Sequence, residues 1–303
     1  MLTQENNFVN EFYKSDVDAL KQFETHKKFA SNIQNTLAEI YANTDKGARI
    51  EQCGNSLVFE RFHNDEHTTT LNSANFCKHK LCPYCAWRWH KRNANILDKS
   101  FEILQNQNFY HLVLTIPNVN FLTKEFLITL RQNATKFVKQ VMKSKDYFMS
   151  FEITVDKNGK FHPHYHIIII LNNVPTKKEI QTEWAKYSNC GNNYAICDIK
   201  PCTDKKISFE LTKYIIKFDN ETLDKKSLYI IEKATKGIRK FATSGKIKIA
   251  EEKAKNLIQQ EAFNKMQELK IYDSDLLFYE WFSKSYQLKE IINIDRHKQN
   301  RAN

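Results

Sequence analysis

Three histidines alternate through FHPHYHIIIIL, residues 161–171, and the last of them runs straight into four consecutive isoleucines. A run of Ile167, Ile168, Ile169 and Ile170 reads as a strand buried on both faces, because β-branched side chains suit a pleated sheet and only a covered sheet tolerates them on both sides. Residues two apart on a strand point the same way, so His164 and His166 stand side by side on one face, about 7 Å apart by the strand rise. They are either two satisfied histidines at a strand end or a pair of metal ligands.

The flanking sequence supplies a sheet for this strand. YHLVLTI alternates as a strand does, and KEFLITLRQNATKFVKQVMK sets Phe126, Leu127, Leu130, Phe137, Val138 and Val141 at helical spacing. SFEITV is a second strand and DKNGK a turn into the histidine strand. In PTKKEIQTEWAKY, Thr176 and Glu179 make a capping box that starts a helix burying Ile180, Trp184 and Tyr187. YAICDIK closes the block. The order β-α-β-β-α-β predicts an α+β fold, a ferredoxin-like antiparallel sheet of strand order 4-1-3-2 with flanking helices and the histidine strand central. A helix over SFELTKYIIKF follows. Residues 1–50 read as a helical segment anchored by Phe12, Leu20, Phe23 and Ile33. Residues 51–104 read as a cysteine module with a basic helix, 105–220 as the sheet domain, and 221–303 as a basic, mainly helical segment with a turn at TSGK.

The turn decides a third neighbour for the histidines. If DKNGK is a three-residue loop with Gly159 left-handed, Asp156 pairs with Lys160 and Glu152 falls opposite His164. A two-residue Asn158-Gly159 turn would flip Glu152 to the other face. Two imidazoles and one carboxylate leave coordination positions open, the composition of a catalytic Mg²⁺ or Mn²⁺ site rather than a closed structural one. His162 has the same parity but precedes Pro163, and is expected beside the ligands or against a phosphate.

Charge and cysteine usage narrow the partners. The net charge is +11 and 13% of residues are aromatic, which fits nucleic-acid binding. No acid lies between Glu66 and Asp98, where Lys78, Lys80, Arg88, Lys91 and Arg92 fall. From Lys225 to Lys248, eight Lys or Arg face the single acid Glu232. No run approaches the roughly 18 apolar residues of a membrane span. The opening MLTQENNFVNEF has no signal-peptide core, so a cytoplasmic protein without a membrane partner is expected. Seven cysteines in a reducing compartment favour metal over disulfides. Cys82 and Cys85 form C-x-x-C, Cys77 precedes them, and Cys53, His63, His67 and His79 compete for the fourth place at a structural Zn²⁺. Cys190, Cys197 and Cys202 read as free thiols. Trp87 and Trp89 either stack on unpaired bases, with Arg88, Lys91 and Arg92 tracking phosphates, or pack in the core.

HPHYHIIIIL resembles the His-hydrophobic-His motif of the HUH endonucleases. HLVLTIPN, ANFCKHKLCPYCAWRWHKR and KYIIK resemble, in that order, the first motif, cysteine block and tyrosine motif of one branch of them, the plasmid rolling-circle replication initiators with a single catalytic tyrosine. KGIRKF with SGK resembles the family's later basic segment. The resemblance covers roughly residues 50–250 and includes an upstream Cys-Gly, which supports Cys53 as the fourth zinc ligand.

The resemblance implies that Tyr214 is the nucleophile. It would attack the scissile phosphate at the plasmid origin, release a 3′-OH primer and keep the 5′-phosphate as phosphotyrosine until resealing. Glu210 and Lys217 share its helix face at i, i+4 and i+7 spacing. Glu210 would activate water for the final hydrolysis, with Lys213 and Lys217 on phosphates. Host helicase and DNA polymerase are implied partners, and because the chain has no P-loop motif the helicase is expected to be a separate protein. A transposase or relaxase could use the same site, and a zinc-dependent DNA-binding regulator would need no catalysis.

Overall fold

The computed structural model describes residues 11–189, 196–202 and 223–296. In chain order its elements are β1 (Phe12–Tyr13), α1 (Asp16–Ile40), α2 (Asp45–Glu51), β2 (Ser56–Phe62), β3 (Thr69–Ala74), α3 (Pro83–Ile103), β4 (Phe109–Thr115), α4 (Lys124–Gln140), β5 (Tyr147–Val155), β6 (Phe161–Ile170), α5 (Lys177–Ser188), β7 (Cys197–Pro201), α6 (Lys225–Thr235), β8 (Phe241–Ser244), α7 (Gly245–Leu269), β9 (Ser274–Phe282) and β10 (Ser285–Ile294). Among the described residues, one compact unit takes those up to Ala86 and from Asn256 onward, the other Trp87–Lys255. No described helix is long and apolar enough to cross a membrane.

The second unit is the expected α+β sheet with one strand added. Its order is β7-β4-β6-β5-β8, all antiparallel, so the four predicted strands stand as 4-1-3-2 with β6 in the middle. Ile167, Ile168 and Ile169 are fully buried there, each stabilising the sheet by roughly 1.5–3 kcal/mol. The even face of β6 carries Ile168 and Ile170 into a cluster with Leu97, Phe148 and Ile247. On the helical side, Phe137 of α4 packs edge-on to Trp184 of α5, and the Trp184 indole donates to the Thr115 carbonyl at 2.7 Å. The capping box of α5 forms as expected between Thr176 and Glu179. Strand β8 follows the basic KGIRK stretch and pairs with β5, at Ser150↔Phe241. Only four residues long, it gave no periodicity to read beyond the TSGK turn.

The first unit holds a sheet of order β1-β3-β2-β9-β10, which was not expected. Helix α1 starts at a Ser15 cap and not near the beginning of the chain, and Phe12 lies before it in β1. Its buried stripe is Ala19, Phe23, Lys27, Ala30, Ile33, Gln34 and Leu37, with Ala19 in the place assigned to Leu20. Rings pack edge-on beneath it: Phe23 and Phe59 lie 5.5 Å apart, Phe59 and Tyr279 6.1 Å.

The mainly helical reading of 221–303 holds for α6 and α7 and fails for β9 and β10. This hairpin turns through Ser283 and Lys284, both at positive φ, so it lacks the Asn-Gly or Asp-Gly signature that marks such a turn in sequence. Because β9 pairs with β2, at Leu57↔Tyr279, the end of the chain completes the first unit's sheet, and the units cut across the four expected segments. The tyrosine helix, with Glu210, Lys213, Tyr214 and Lys217, and Cys190 lie outside the described residues.

Candidate metal sites and the histidine face

The DKNGK turn closes with three residues. Asp156 N–H donates to the Lys160 carbonyl and Gly159 N–H to the Asp156 carbonyl, each at 2.9 Å, and Gly159 sits at φ 73°. A residue with a side chain resists that conformation, and glycine does not. The resulting register pairs Glu152 with His164 and Ser150 with His166, so the carboxylate and both imidazoles occupy one face.

His164 Nε2 lies 3.4 Å and His166 Nε2 3.5 Å from the same Glu152 oxygen. These three residues form one of two described groups able to surround a metal ion, with ligand atoms all within 4.8 Å of one another. Ligands at roughly 2.1 Å from a shared ion stand roughly 3.0–3.4 Å apart, so the spacing fits.

The hydrogen bonding also orients the rings. His164 Nδ1 lies 3.2 Å from the His162 carbonyl, which can only accept, so Nδ1 carries the proton and Nε2 of the neutral ring turns a lone pair to Glu152. A lone pair facing a carboxylate needs a cation: a proton on the ring or a metal between them. Burial alone would push the Glu152 carboxyl up, but hydrogen bonds and charges from His164 and His166 outweigh it and hold the group at about 2.

Two neighbours escaped the sequence reading. His111 of β4 is buried, stacks on His166 with centroids 5.4 Å apart, and puts its Nε2 3.2 Å from His166 Nδ1. That contact leaves His166 Nε2 for Glu152. Neither the alternation of YHLVLTI nor the resemblance of HLVLTIPN to a family motif pairs this imidazole with His166, which takes the register Val113↔His166 and His111↔Ile168. The second is Lys240. Burial pushes its ammonium down to about 7, against the pull of Glu152, and Nζ stands 4.7 Å over the Phe241 ring. His162 sits with its ring 5.4 Å from that of His164, and burial, then the His164 charge, push it down.

The second group is Cys53, Cys77, Cys82 and Cys85. Cys53 Sγ lies 3.4 Å from that of Cys85 and 3.8 Å from that of Cys82, with Cys77 3.7 Å from Cys85. A tetrahedron with sulfurs at ~2.3 Å has edges of about 3.8 Å, so four thiolates around Zn²⁺ fit. Without a cation the thiols resist joint ionisation. Contacts with Cys77 and then Cys82 push Cys53 up, while the Cys53 contact leads in holding Cys77 down. Backbone N–H groups of Cys77 and His79 donate to sulfur at 3.2 and 3.4 Å.

Two of the competing histidines, His79 and His63, have other partners. His79 Nδ1 accepts the Leu81 N–H, and His63 pairs with Asp275. Gly54, at φ 73°, lies so close to the Tyr84 ring that any β-carbon would collide with it, which accounts for the Cys-Gly pair. Buried Lys27 donates to the Cys53 carbonyl at 2.5 Å and brings a positive charge to the cluster.

Of the residues expected on DNA, Arg88 is buried and Lys91 and Arg92 are half-buried, with burial pushing Arg92 down. Trp87 is buried and Trp89 half-buried.

A split β-α-β sheet with a His-hydrophobic-His pair on its central strand defines the HUH class, as the motifs implied. The Replication protein family model matches residues 68–287. The chain belongs to that family. It is similar to proteins named Protein rep from Lentilactobacillus hilgardii, 30% identical over 156 residues, 48% of this chain and 49% of that one, and from Streptococcus pneumoniae serotype 2, 28% identical over 157 residues, 48% and 44%. A Protein rep from Staphylococcus aureus is 27% identical over 158 residues, 49% and 68%. The chain spans about half the length of the first two of these curated relatives. No solved structure matches it.

Proposed function

We propose that the protein is a plasmid replication initiator that nicks one strand at the double-strand origin through Tyr214. The reading is carried by the convergence of Glu152, His164 and His166 on one sheet face in a chain of the replication protein family. A divalent ion held there, Mg²⁺ or Mn²⁺, supplies Lewis acidity to the scissile phosphate. Tyr214 Oη bonds to phosphorus as the bond to the 3′-oxygen breaks. The phenol proton is given up, the 3′-oxygen ends protonated as the primer hydroxyl, and the 5′-phosphate stays on the enzyme. Glu210 then activates water to hydrolyse the phosphotyrosine when a round ends. Lys213, Lys217 and His162 contact phosphates, as do Lys91 and Arg92 where their heads reach solvent. Cys53, Cys77, Cys82 and Cys85 hold structural Zn²⁺. Origin DNA, a host helicase and a polymerase are the partners, in the cytoplasm.

Supercoiled plasmid carrying the cognate origin, incubated with the protein and Mn²⁺, is expected to yield nicked circles bearing covalent protein. Tyr214→Phe is expected to bind the origin and form no adduct. An adduct that survives this change contradicts the nucleophile assignment.

The contact between His111 and His166 yields a graded result. His111→Ala should free the His166 ring to rotate and cost about 10–100-fold in Mn²⁺ affinity. The adduct rate should largely recover at saturating Mn²⁺, and His111→Gln should lie between. Isothermal titration with Mn²⁺ checks it, and equal affinity in all three proteins would exclude a positioning role for His111.

A further inference from the structure

Helix α4 and the segment leading into β8 enclose a groove of ≈ 580 Å³. Lys124, Arg131 and Lys136 line it from α4 and Arg239 from the other side, with Ile128 and Ile238 also in its lining; no acid and no aromatic ring is among its lining residues. Arg131 fixes the two walls together, its guanidinium donating to the Arg239 carbonyl at 2.9 Å and the Phe241 carbonyl at 3.5 Å. The other three cations are exposed. The groove is not part of the histidine face. Arg131 acts electrostatically on Tyr165, and Tyr165 points to the side of β6 opposite His164 and His166.

We infer that this groove binds the phosphodiester backbone of duplex DNA flanking the nick. Fixed cations with no opposing acid attract a polyanion, and releasing its counterions drives the association. Single strands are held by stacking bases on aromatic side chains, and the lining offers none, whereas a duplex presents only its phosphates and sugars to such a wall. Lys124, Lys136 and Arg239 would take phosphates, and Ile128 and Ile238 would lie against sugars. The groove would grip the duplex beside the origin while the other face of the sheet takes the unpaired strand. The assignment rests on the nicking function proposed above and adds the place where the flanking duplex sits.

The test compares the full chain with the triple variant K124Q/K136Q/R239Q in binding a random-sequence DNA duplex of about two helical turns across a salt series. Each lost phosphate contact removes about 0.9 from the slope of log affinity against log salt, so the variant's slope should be shallower by about 2–3. K124R/K136R/R239K, which keeps the charges, should match the wild-type slope, and matching melting temperatures verify the fold. Binding to a single strand of equal length should change far less. An unchanged duplex slope, or an equal loss on the single strand, overturns the assignment. Adduct formation on a single-stranded origin oligonucleotide is measured alongside. Its absence in the wild type would strike the Tyr214 mechanism and leave the slopes to decide the groove.

Discussion

His166→Ala lowers the Mn²⁺-dependent rate of adduct formation by about 10³-fold or more, with origin binding retained. The magnitude follows from what a divalent ion supplies at a phosphoryl centre, several kcal/mol of charge stabilisation, where each ~1.4 kcal/mol is a factor of ten. The loss is in catalysis because the ring is half-exposed at the strand's edge of the core, with a side chain 22% accessible, while the stability of β6 comes from the buried isoleucines that follow it. Removing the imidazole also leaves Glu152 without one of the two partners that hold its carboxyl at about 2. Single-turnover assays on a labelled origin oligonucleotide, with and without Mn²⁺, measure the effect. A variant that retains more than a tenth of the wild-type rate would mean that His166 is not a ligand of the catalytic ion.

Cys82→Ser is expected to act on the fold instead. Zinc bound by a small set of thiolates contributes roughly 10–16 kcal/mol, comparable with the entire 5–15 kcal/mol by which domains are stable. Here the cluster ties Cys53, just after α2, to Cys77, Cys82 and Cys85, and Cys53, Cys82 and Cys85 are buried. With one thiolate lost, the affinity falls and the remaining three sulfurs stay crowded. The expected outcome is a protein that retains less than one zinc per chain and whose first unit melts early, while the histidine sheet persists. Metal content by atomic emission, together with hydrogen exchange over β2, β3 and β9, checks it. Stoichiometric zinc and unchanged protection in Cys82→Ser would remove Cys82 from the ligand set.

The two units were unequally legible in the sequence. In the second, each element carried its own local signal: the isoleucine run, the capping box at Thr176, the alternation of HLVLTI, and a Gly159 turn whose length sets the register of Glu152. Local signals sufficed because each of these elements could be read by itself, and the one tight turn, between β5 and β6, fixes the register of the strand pair that carries the site. The first unit's sheet joins segments more than 200 positions apart, such as Leu57 and Tyr279, and no short-range pattern announces that pairing. Strand β10, SYQLKEIINI, is mostly exposed and does not alternate apolar with polar residues, and its turn uses Ser283-Lys284 without glycine. His111 was overlooked for a related reason. It stands two positions along its strand from Val113, the residue directly opposite His166, and meets that ring diagonally, a contact that only the cross-strand register reveals.

The central claim is that Glu152, His164 and His166 hold one divalent cation. Crystals grown with Mn²⁺ and measured for anomalous scattering at the manganese edge test it directly. The account predicts a single strong peak on the histidine face, about 2.0–2.3 Å from both imidazole Nε2 atoms and from a Glu152 oxygen. Manganese bound at another place, with these three side chains left paired only to one another, would contradict it.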